Sequence, residues 1–393
     1  MREKRKQLKF GLESAEKNTV PPAERPDPSE PICGKTVLDA LRAVAAEGST
    51  VCPVGIDRAD ALLRAGYRVC EEGGDVAIAR GGESEFAVAR KKRCRKLILC
   101  PTHAYYAALC PRYRTLDERF AVMVQGKSPA AAVFDETDIH ENLASVFGET
   151  VSLDLAAFDL EFGALMRGER RYDDVCRQAG EIISELTATL KNREKDRAFA
   201  AKALVAAGEK AARLVMRYPE LLHASGAAQT AEALRMLYAA EDRTLGMRGE
   251  TEMLIGLYVL DFYIKNLPER AEMTFPPDNG KHIDGLCEYL GADVRKACVY
   301  ASPVYPPERM RLCEYRKREF RSEIAEKLSA IRKRQTDAVR VFKRLYADDG
   351  FGLSKLIDKT DIGLCLALAP DVFAGDTMLS FLKQAGRLER YIV

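Results

Sequence analysis

Short apolar runs alternate with helical patterns in the first third of the chain. The runs that favour strands cover residues 49–54, 67–70, 75–79, 96–100 and 130–134, and helical patterns such as 58–65 lie between them. Strands that alternate with helices are typical of a parallel sheet covered by helices. The pattern therefore predicts an α/β, Rossmann-like domain with a parallel sheet.

The character of the chain changes after residue 143. Helical periodicity dominates from there to the end, with predicted helices at 151–165, 172–190, 197–218, 227–238, 250–265 and 308–345. We expect three parts: a charged, proline-rich tail (1–30), a shortened α/β nucleotide-binding-like domain (31–143) and an all-helical, all-α domain (144–393). Ligand sites favour clefts at domain interfaces, so we expect a site between the last two.

The stretch 225–256 reads as two consecutive helices joined by a short glycine-containing turn. Small residues open the first helix, and the second begins near Met247 and Glu250. The second helix continues as an apolar segment (253–265), which predicts core packing. This helix pair is the predicted organising element of the helical part.

Composition narrows the class of protein. A net charge of +2 over 393 residues argues against nucleic acid as a partner, and no aromatic residues interleave with the basic runs 2–9 and 90–96. The longest apolar run, 253–263, contains Gly256 and Asp261 and is too short for a membrane span. Eleven scattered cysteines without a C-x-x-C pair, and a charged N-terminus, predict a cytoplasmic protein with reduced thiols.

Several segments together resemble the sn-glycerol-1-phosphate dehydrogenase family. That family belongs to the superfamily of iron-containing alcohol dehydrogenase, glycerol dehydrogenase and 3-dehydroquinate synthase. No single segment is specific, but their order and spacing carry the resemblance. The segments are FDETDI (134–139), FGETVSLDLAAFDL (147–160), SGAAQTAEA (225–233), MRGE (247–250) and DTMLSFLKQAGRLERYI (376–392).

The resemblance implies a dehydroquinate synthase-like fold and a homodimer or higher homo-oligomer. It also implies a glycine-rich turn at the NAD(P) pyrophosphate and a Pro-Thr segment beside the nicotinamide. A divalent metal such as Zn, Ni or Fe, held by one aspartate and two histidines, would polarise the substrate carbonyl for hydride transfer.

The cofactor positions match this pattern only in part. Gly81, Gly82 and Ser84 match the phosphate turn, but Glu83 stands where a third glycine is expected, and its carboxylate would repel a pyrophosphate. In the next segment Pro101 and Thr102 match, whereas the substrate aspartate falls near Ala107. These departures weaken the case for NAD(P) binding.

The residues at the metal-ligand positions depart further from the pattern that the resemblance implies. Glu149 replaces the aspartate, Gln229 the first histidine and Arg248 the second. A guanidinium has donors only and cannot ligate a cation, so we expect no metal. One hypothesis pairs Arg248 with Glu149, directly or through water; in the other, the two charges face solvent and never meet. A rescue site that combines Glu149 with His103 or His223 is a third alternative.

The sequence thus favours a diverged sn-glycerol-1-phosphate dehydrogenase-like protein that is catalytically impaired or repurposed. One alternative is an active NAD(P)-dependent oxidoreductase that reduces dihydroxyacetone phosphate or a related polyol or ketone. The other is a protein that binds an anionic small molecule, such as a sugar phosphate, through Arg248. Arg248 is also the one candidate for a catalytic role.

Overall fold

The structure is a computed structural model in which the residues from Ile32 to Val393 form one compact unit. The predicted tail, 1–30, lies outside the described residues, and the predicted division at residue 143 stays a prediction. The described residues are 32–34, 36–56, 59–102, 106–109, 112–117, 120–125, 128–169, 171–193, 195–222, 225–241, 243, 245, 247–267, 284–285, 287–288, 306–346, 357–372 and 375–388.

Six strands form a parallel sheet in the order β1-β8-β5-β4-β2-β3. A separate antiparallel hairpin joins β6 to β7. The strands are β1 (Ile32–Gly34), β2 (Thr50–Val54), β3 (Arg68–Val69), β4 (Gly74–Gly81), β5 (Cys94–Pro101), β6 (Arg112–Asp117), β7 (Phe120–Gln125) and β8 (Ala131–Val133).

Both faces of the parallel sheet are covered. Val76 and Ile78 of β4 pack into one apolar cluster, while Ala77 and Ala79 of the same strand pack into another on the opposite face. A strand buried on both sides reads as a continuous apolar run, which is why DVAIA predicted it. The predicted α/β fold class with a parallel sheet and a helical remainder is confirmed.

The helices that follow and separate the strands have the following bounds. They are α1 (Val37–Val44), α2 (Ala59–Arg64), α3 (Glu83–Lys91), α4 (Glu136–Glu141), α5 (Leu143–Arg167), α6 (Asp173–Leu190), α7 (Arg197–Arg217), α8 (Gly226–Ala240), α9 (Arg248–Asn266), α10 (Pro307–Glu319), α11 (Arg321–Tyr346), α12 (Lys359–Val372) and α13 (Met378–Gln384). Helices α8 and α9 are the predicted pair. No helix in the described part of the chain has the length and apolar character needed to cross a membrane.

Helix α5 lies at the centre of the helical part. Every residue from Leu143 to Met166 is buried, and the helix ends at Gly168, whose φ of 72° is the left-handed conformation that glycine adopts most easily. A helix buried all round must bury its polar side chains as well, so each of them needs a partner. The predicted organising pair, α8 and α9, packs against this helix.

Asp159 of α5 shows how such a polar side chain is accommodated. Its carboxylate accepts hydrogen bonds from the backbone N–H of Gly226 (2.7 Å), the backbone N–H of Met378 (3.0 Å) and the Tyr263 hydroxyl (3.0 Å). Two of these donors belong to the first residues of α8 and α13, where N–H groups have no partner inside the helix. Asp159 therefore ties α5, α8, α9 and α13 together.

Three local predictions differ from the structure. The hairpin β6–β7 and the short β1 were not predicted. Strand β1 has only three residues and β6 has no apolar run, whereas the apolar run of β7, FAVMVQ, was overlooked. The single helix predicted over 308–345 is two helices with a turn at Phe320. No proline or glycine marks that turn, but Phe320 packs against the helical core and the Arg171 guanidinium lies 5.7 Å from its ring.

Candidate functional site

Two glycines bring α5 and α9 into close contact at the site. A Cβ atom built on Gly148 would lie under 3.0 Å from the carbonyl oxygen of Gly249, and one on Gly249 would lie equally close to the carbonyl oxygen of Ser145. The Gly249 N–H donates to the Ser145 hydroxyl at 3.2 Å. Because Glu149 and Arg248 are the chain neighbours of these glycines, the crossing places them in the same region.

Arg248 lies at the start of α9 and is held by two buried carboxylates. Its Nη1 is 2.9 Å from Oε1 of Glu232, and its Nε donates to Oε1 of Glu252 at 2.7 Å. The side chain of Arg248 is only 10% exposed, and those of Glu232 and Glu252 are 4% and 7% exposed. The two carboxylates thus provide the charge compensation that a buried guanidinium requires.

Each of these carboxylates has a further partner. Glu232 is 3.1 Å from Nη1 of Arg235, and Glu252 accepts a hydrogen bond from the Ser152 hydroxyl at 3.0 Å. Ser152 lies on α5, so Glu252 connects the central helix to α9. The result is a network of charged and polar groups that spans α5, α8 and α9.

Glu149 and Gln229 are both buried, at 3% and 0% exposure. Oε2 of Glu149 accepts a hydrogen bond from the backbone N–H of Tyr106 at 3.3 Å. The Tyr106 hydroxyl shares a hydrogen bond of 2.9 Å with the hydroxyl of Thr150, and burial raises the pKa of the Tyr106 phenol. Tyr106 therefore lies over the Glu149 end of the site.

A small cavity connects Glu149 with Arg248. It leaves about 10 Å³ for the centres of water molecules, which is room for about one water. Both side chains line it, so the structure brings these two predicted residues together; Gln229 is not among the lining residues. The predicted pairing of Glu149 with Arg248 itself stays a prediction. The cavity is lined by Tyr106, Glu149, Ser152, Ala156, Ser225, Ala228, Arg248 and Glu252.

These residues do not fit a divalent transition metal. Arg248 offers no lone pair, and the amide of Gln229 is a poor substitute for imidazole. Within the described residues, the one grouping of three potential ligand side chains is Glu161, Asp173 and Glu323. Arg171 and Lys327 form ion pairs with all three, so that cluster is already neutralised. The alternative site with His103 or His223 lies outside the described residues.

The predicted phosphate turn lies where β4 meets α3. Gly81 ends the strand with a φ of 145°, and Gly82 precedes the helix. The N–H of Gly82 donates to Oε2 of Glu85 at 2.9 Å. A Cβ built on Gly81 would lie under 3.0 Å from the Glu85 carboxylate, so this carboxylate packs directly against the turn. The side chains of Ser84 and Glu83 are not among those described.

Pro101 and Thr102 lie beside that turn. Pro101 ends β5, and the Thr102 N–H donates to the carbonyl oxygen of Gly81 at 3.1 Å. The Asn142 side chain in turn donates to the Thr102 carbonyl at 3.4 Å. The two predicted cofactor segments are therefore neighbours at the carboxyl ends of adjacent parallel strands, which is where α/β folds bind nucleotides. Their roles in binding stay predictions.

Sequence reasoning missed three residues of this region. Glu232 and Glu252 were not singled out, although Glu252 lies four positions after Arg248 and that spacing favours an ion pair on a helix. Glu85 was also missed. It lies three residues after Gly82, which precedes α3, and a glutamate at that spacing often caps the N-terminus of a helix. The signals were present, but they are common in helices of every function.

No protein-family model matches the chain, and no curated protein matches it. Among solved structures, a 1,3-propanediol oxidoreductase superposes with a TM-score of 0.51 at 12% identity, over 92% of this chain and 97% of that one. A maleylacetate reductase from Agrobacterium tumefaciens superposes with a TM-score of 0.49 at 13% identity, over 90% of this chain and 92% of that one. An iron-containing alcohol dehydrogenase from Thermotoga maritima superposes with a TM-score of 0.42 at 13% identity, over 79% of this chain and 97% of that one. At such identity the first of these shows the fold alone: the chain has the fold of 1,3-propanediol oxidoreductase.

Proposed function

We propose that the chain is a diverged sn-glycerol-1-phosphate dehydrogenase-like protein that has lost metal-dependent catalysis and is impaired or repurposed. The observation that carries the proposal is the state of Arg248. The resemblance places this residue at a metal-ligand position, and here its guanidinium is buried in ion pairs with Glu232 and Glu252. A metal at the same place would meet a fixed positive charge.

The phosphate turn supports the same proposal. The N-terminus of a helix attracts anions through its N–H groups and its dipole. At α3 the carboxylate of Glu85 accepts from the Gly82 N–H, so the chain supplies its own anion there. A pyrophosphate at this turn would have to displace that carboxylate or lie beside its charge, and either requirement weakens NAD(P) binding.

The two alternative functions receive less support. In an active oxidoreductase without the metal, Arg248 would have to stabilise the developing oxyanion, and two of its nitrogens already face carboxylates. A sugar phosphate bound through Arg248 would meet three buried carboxylates, Glu149, Glu232 and Glu252, against two guanidinium groups, Arg248 and Arg235. The balance of charge is negative, which disfavours an anion.

Metal content and turnover test the proposal directly. We expect the purified protein to carry no stoichiometric Zn, Ni or Fe. We also expect no oxidation of glycerol 1-phosphate with NAD⁺ or NADP⁺ and no reduction of dihydroxyacetone phosphate with NADH or NADPH. Stoichiometric metal together with turnover would overturn the proposal.

A ligand-restoring variant makes the test sharper. The triple change Glu149→Asp, Gln229→His and Arg248→His rebuilds the ligand set that the resemblance implies. Metal binding by the folded triple variant, but not by the natural chain, would show that these three positions form a former metal site. The double change Glu149→Asp and Gln229→His, which keeps Arg248, is the matched control and should stay metal-free because the guanidinium remains.

A further inference from the structure

A groove of about 640 Å³ runs between α6 and α11, and it shares no lining residue with the cavity around Arg248. Its volume lies in the range of sites that hold nucleotide-sized ligands. One carboxylate, Asp337, and five cationic side chains line it. The cationic residues are Lys191, Lys333, Arg334, Arg340 and Arg344.

The charge of this groove stays positive after the described ion pairs are counted. Arg334 is compensated by Asp154, and Arg340 lies 3.5 Å from Asp337. Beside these two pairs, Lys191 and Lys333 contribute a formal excess of two positive charges. Lys191 and Lys333 are both exposed, so their ammonium groups can reach a ligand. A concave surface with such an excess attracts polyanions.

Arg334, at the floor of the groove, is held in a fixed orientation by its neighbours. Nε and Nη2 of Arg334 donate to the two oxygens of Asp154 at 2.7 and 2.8 Å, and Asp154 is only 2% exposed. Gly180 on α6 makes room for this arginine, because a Cβ there would lie 3.1 Å from the guanidinium carbon. The two-point bond fixes the guanidinium plane, so this part of the groove is organised before any ligand arrives.

A second observation concerns Thr187, which also lines the groove. It is 8% exposed, and its hydroxyl oxygen is buried without a hydrogen-bond partner among the described atoms. Buried hydroxyls are normally satisfied, so one that is not marks a place where a bound group would supply the missing bond after a small side-chain rotation. Ala188 and Ala330 add exposed apolar surface to the groove, which the buried side chain of Val341 also lines.

We propose that this groove binds a nucleoside di- or triphosphate. Lys191 and Lys333 contact the phosphates electrostatically, since ammonium groups act as point charges toward phosphate. The apolar surface of Ala188 and Ala330 contacts the base. The combination of several cations with adjacent apolar surface selects an anion that also has a flat apolar part.

Calorimetric titration of the full chain with ATP tests the proposal, with pyrophosphate and adenosine as probes of the two halves of the ligand. We expect ATP to bind more tightly than either probe. The double variant Lys191→Ala and Lys333→Ala should weaken ATP binding by at least about tenfold, a loss of roughly 1.4 kcal/mol. The matched control is Lys343→Ala with Arg321→Ala, two exposed cations of α11 that do not line the groove.

A shape variant separates the groove from general charge attraction. Ala188 is exposed, so Ala188→Trp fills the groove without changing charge or disturbing the core. It should abolish ATP binding while the far-ultraviolet circular dichroism spectrum stays unchanged. Absence of ATP binding, equal losses in the lysine variant and its control, or full binding by Ala188→Trp would each overturn the proposal. Equal affinity for pyrophosphate and ATP would overturn the assignment to a nucleotide.

Discussion

Gly148 and Gly249 face each other where α5 crosses α9, and neither position has space for a side chain. A Cβ on either glycine would lie under 3.0 Å from a backbone carbonyl of the other helix. Helices approach this closely only when small residues line the contact, because any side chain separates the backbones. The contact sets the distance between the two helices that carry Glu149 and Arg248, so it positions the whole site.

Replacing Gly249 with alanine should destabilise the protein strongly. Overpacking of a tight core costs about 1–3 kcal/mol, and contact with rigid backbone puts this change at the upper end. The matched control is Gly256→Ala in the same helix, where a Cβ would meet nothing within 4 Å. The free energy of unfolding of the control should rise by about 0.5–1 kcal/mol, because alanine has a higher helix propensity than glycine. Urea unfolding measures both, and equal free energies of unfolding would contradict the close crossing.

Replacing Arg248 with methionine should leave Glu232 and Glu252 buried without their guanidinium. Removing one partner of a buried ion pair costs about 3–5 kcal/mol. Adding Glu252→Gln to this variant should recover part of the loss, because one of the buried charges is then removed. The comparison variant is Arg332→Met, whose pair with Asp261 is about half exposed and is worth roughly 1 kcal/mol or less. If both methionine variants lose the same stability, the Arg248 pairs are not desolvated.

Replacing Glu85 with glutamine should improve binding of NADH if the carboxylate blocks the phosphate turn. A like charge 4 Å away costs about 1 kcal/mol even in water, so affinity should rise at least about fivefold. Stability should fall by about 1 kcal/mol because the capping carboxylate is weakened. Fluorescence titration with NADH measures the first effect and urea unfolding the second. Glu71→Gln, an exposed change, is the control; unchanged NADH affinity in Glu85→Gln would remove Glu85 as the obstacle.

Local periodicity was enough to predict much of this fold. The apolar run over Val76–Ile78 has to be a strand buried on both faces, and the pattern over α8 and α9 has to be two helices. A helix with a buried face shows its period of 3.6 residues in the sequence, and a strand buried on both faces shows a continuous apolar run. The fold class therefore follows from residues that are close in sequence.

The partners of the site residues could not be predicted in the same way. The bond from Ser152 to Glu252 joins positions 100 residues apart, and no local pattern records which of the buried carboxylates Arg248 meets. The resemblance directed attention to Glu149 because it occupies a ligand position, whereas Glu232 and Glu252 match nothing in that motif. Pairing across helices depends on the crossing of α5 and α9, which is a property of the packed structure.

The last prediction concerns Asp159, whose pKa burial raises to about 7 from an ordinary value near 4. Between these values the folded chain holds a proton that the unfolded chain has released. The free energy of unfolding should therefore fall as pH rises from about 4 to 7, by at most about 1.4 kcal/mol per pH unit, and then level off. The stabilising effect is complete below pH 4 and is lost through pH 7.

Asp159→Asn isolates this effect, because the amide does not titrate. The variant should be less stable than the natural chain at pH 5, since its NH₂ group faces donors from Gly226, Met378 and Tyr263. The gap, which is the difference in free energy of unfolding between the natural chain and the variant, should narrow as pH rises to 8. Asp261→Asn, at a half-exposed carboxylate, should give a constant gap. Urea unfolding at pH 5, 6, 7 and 8 measures the gap. A gap that stays constant from pH 5 to pH 8 would show that the donors around Asp159 favour its ionised form and keep its pKa from rising above the ordinary value.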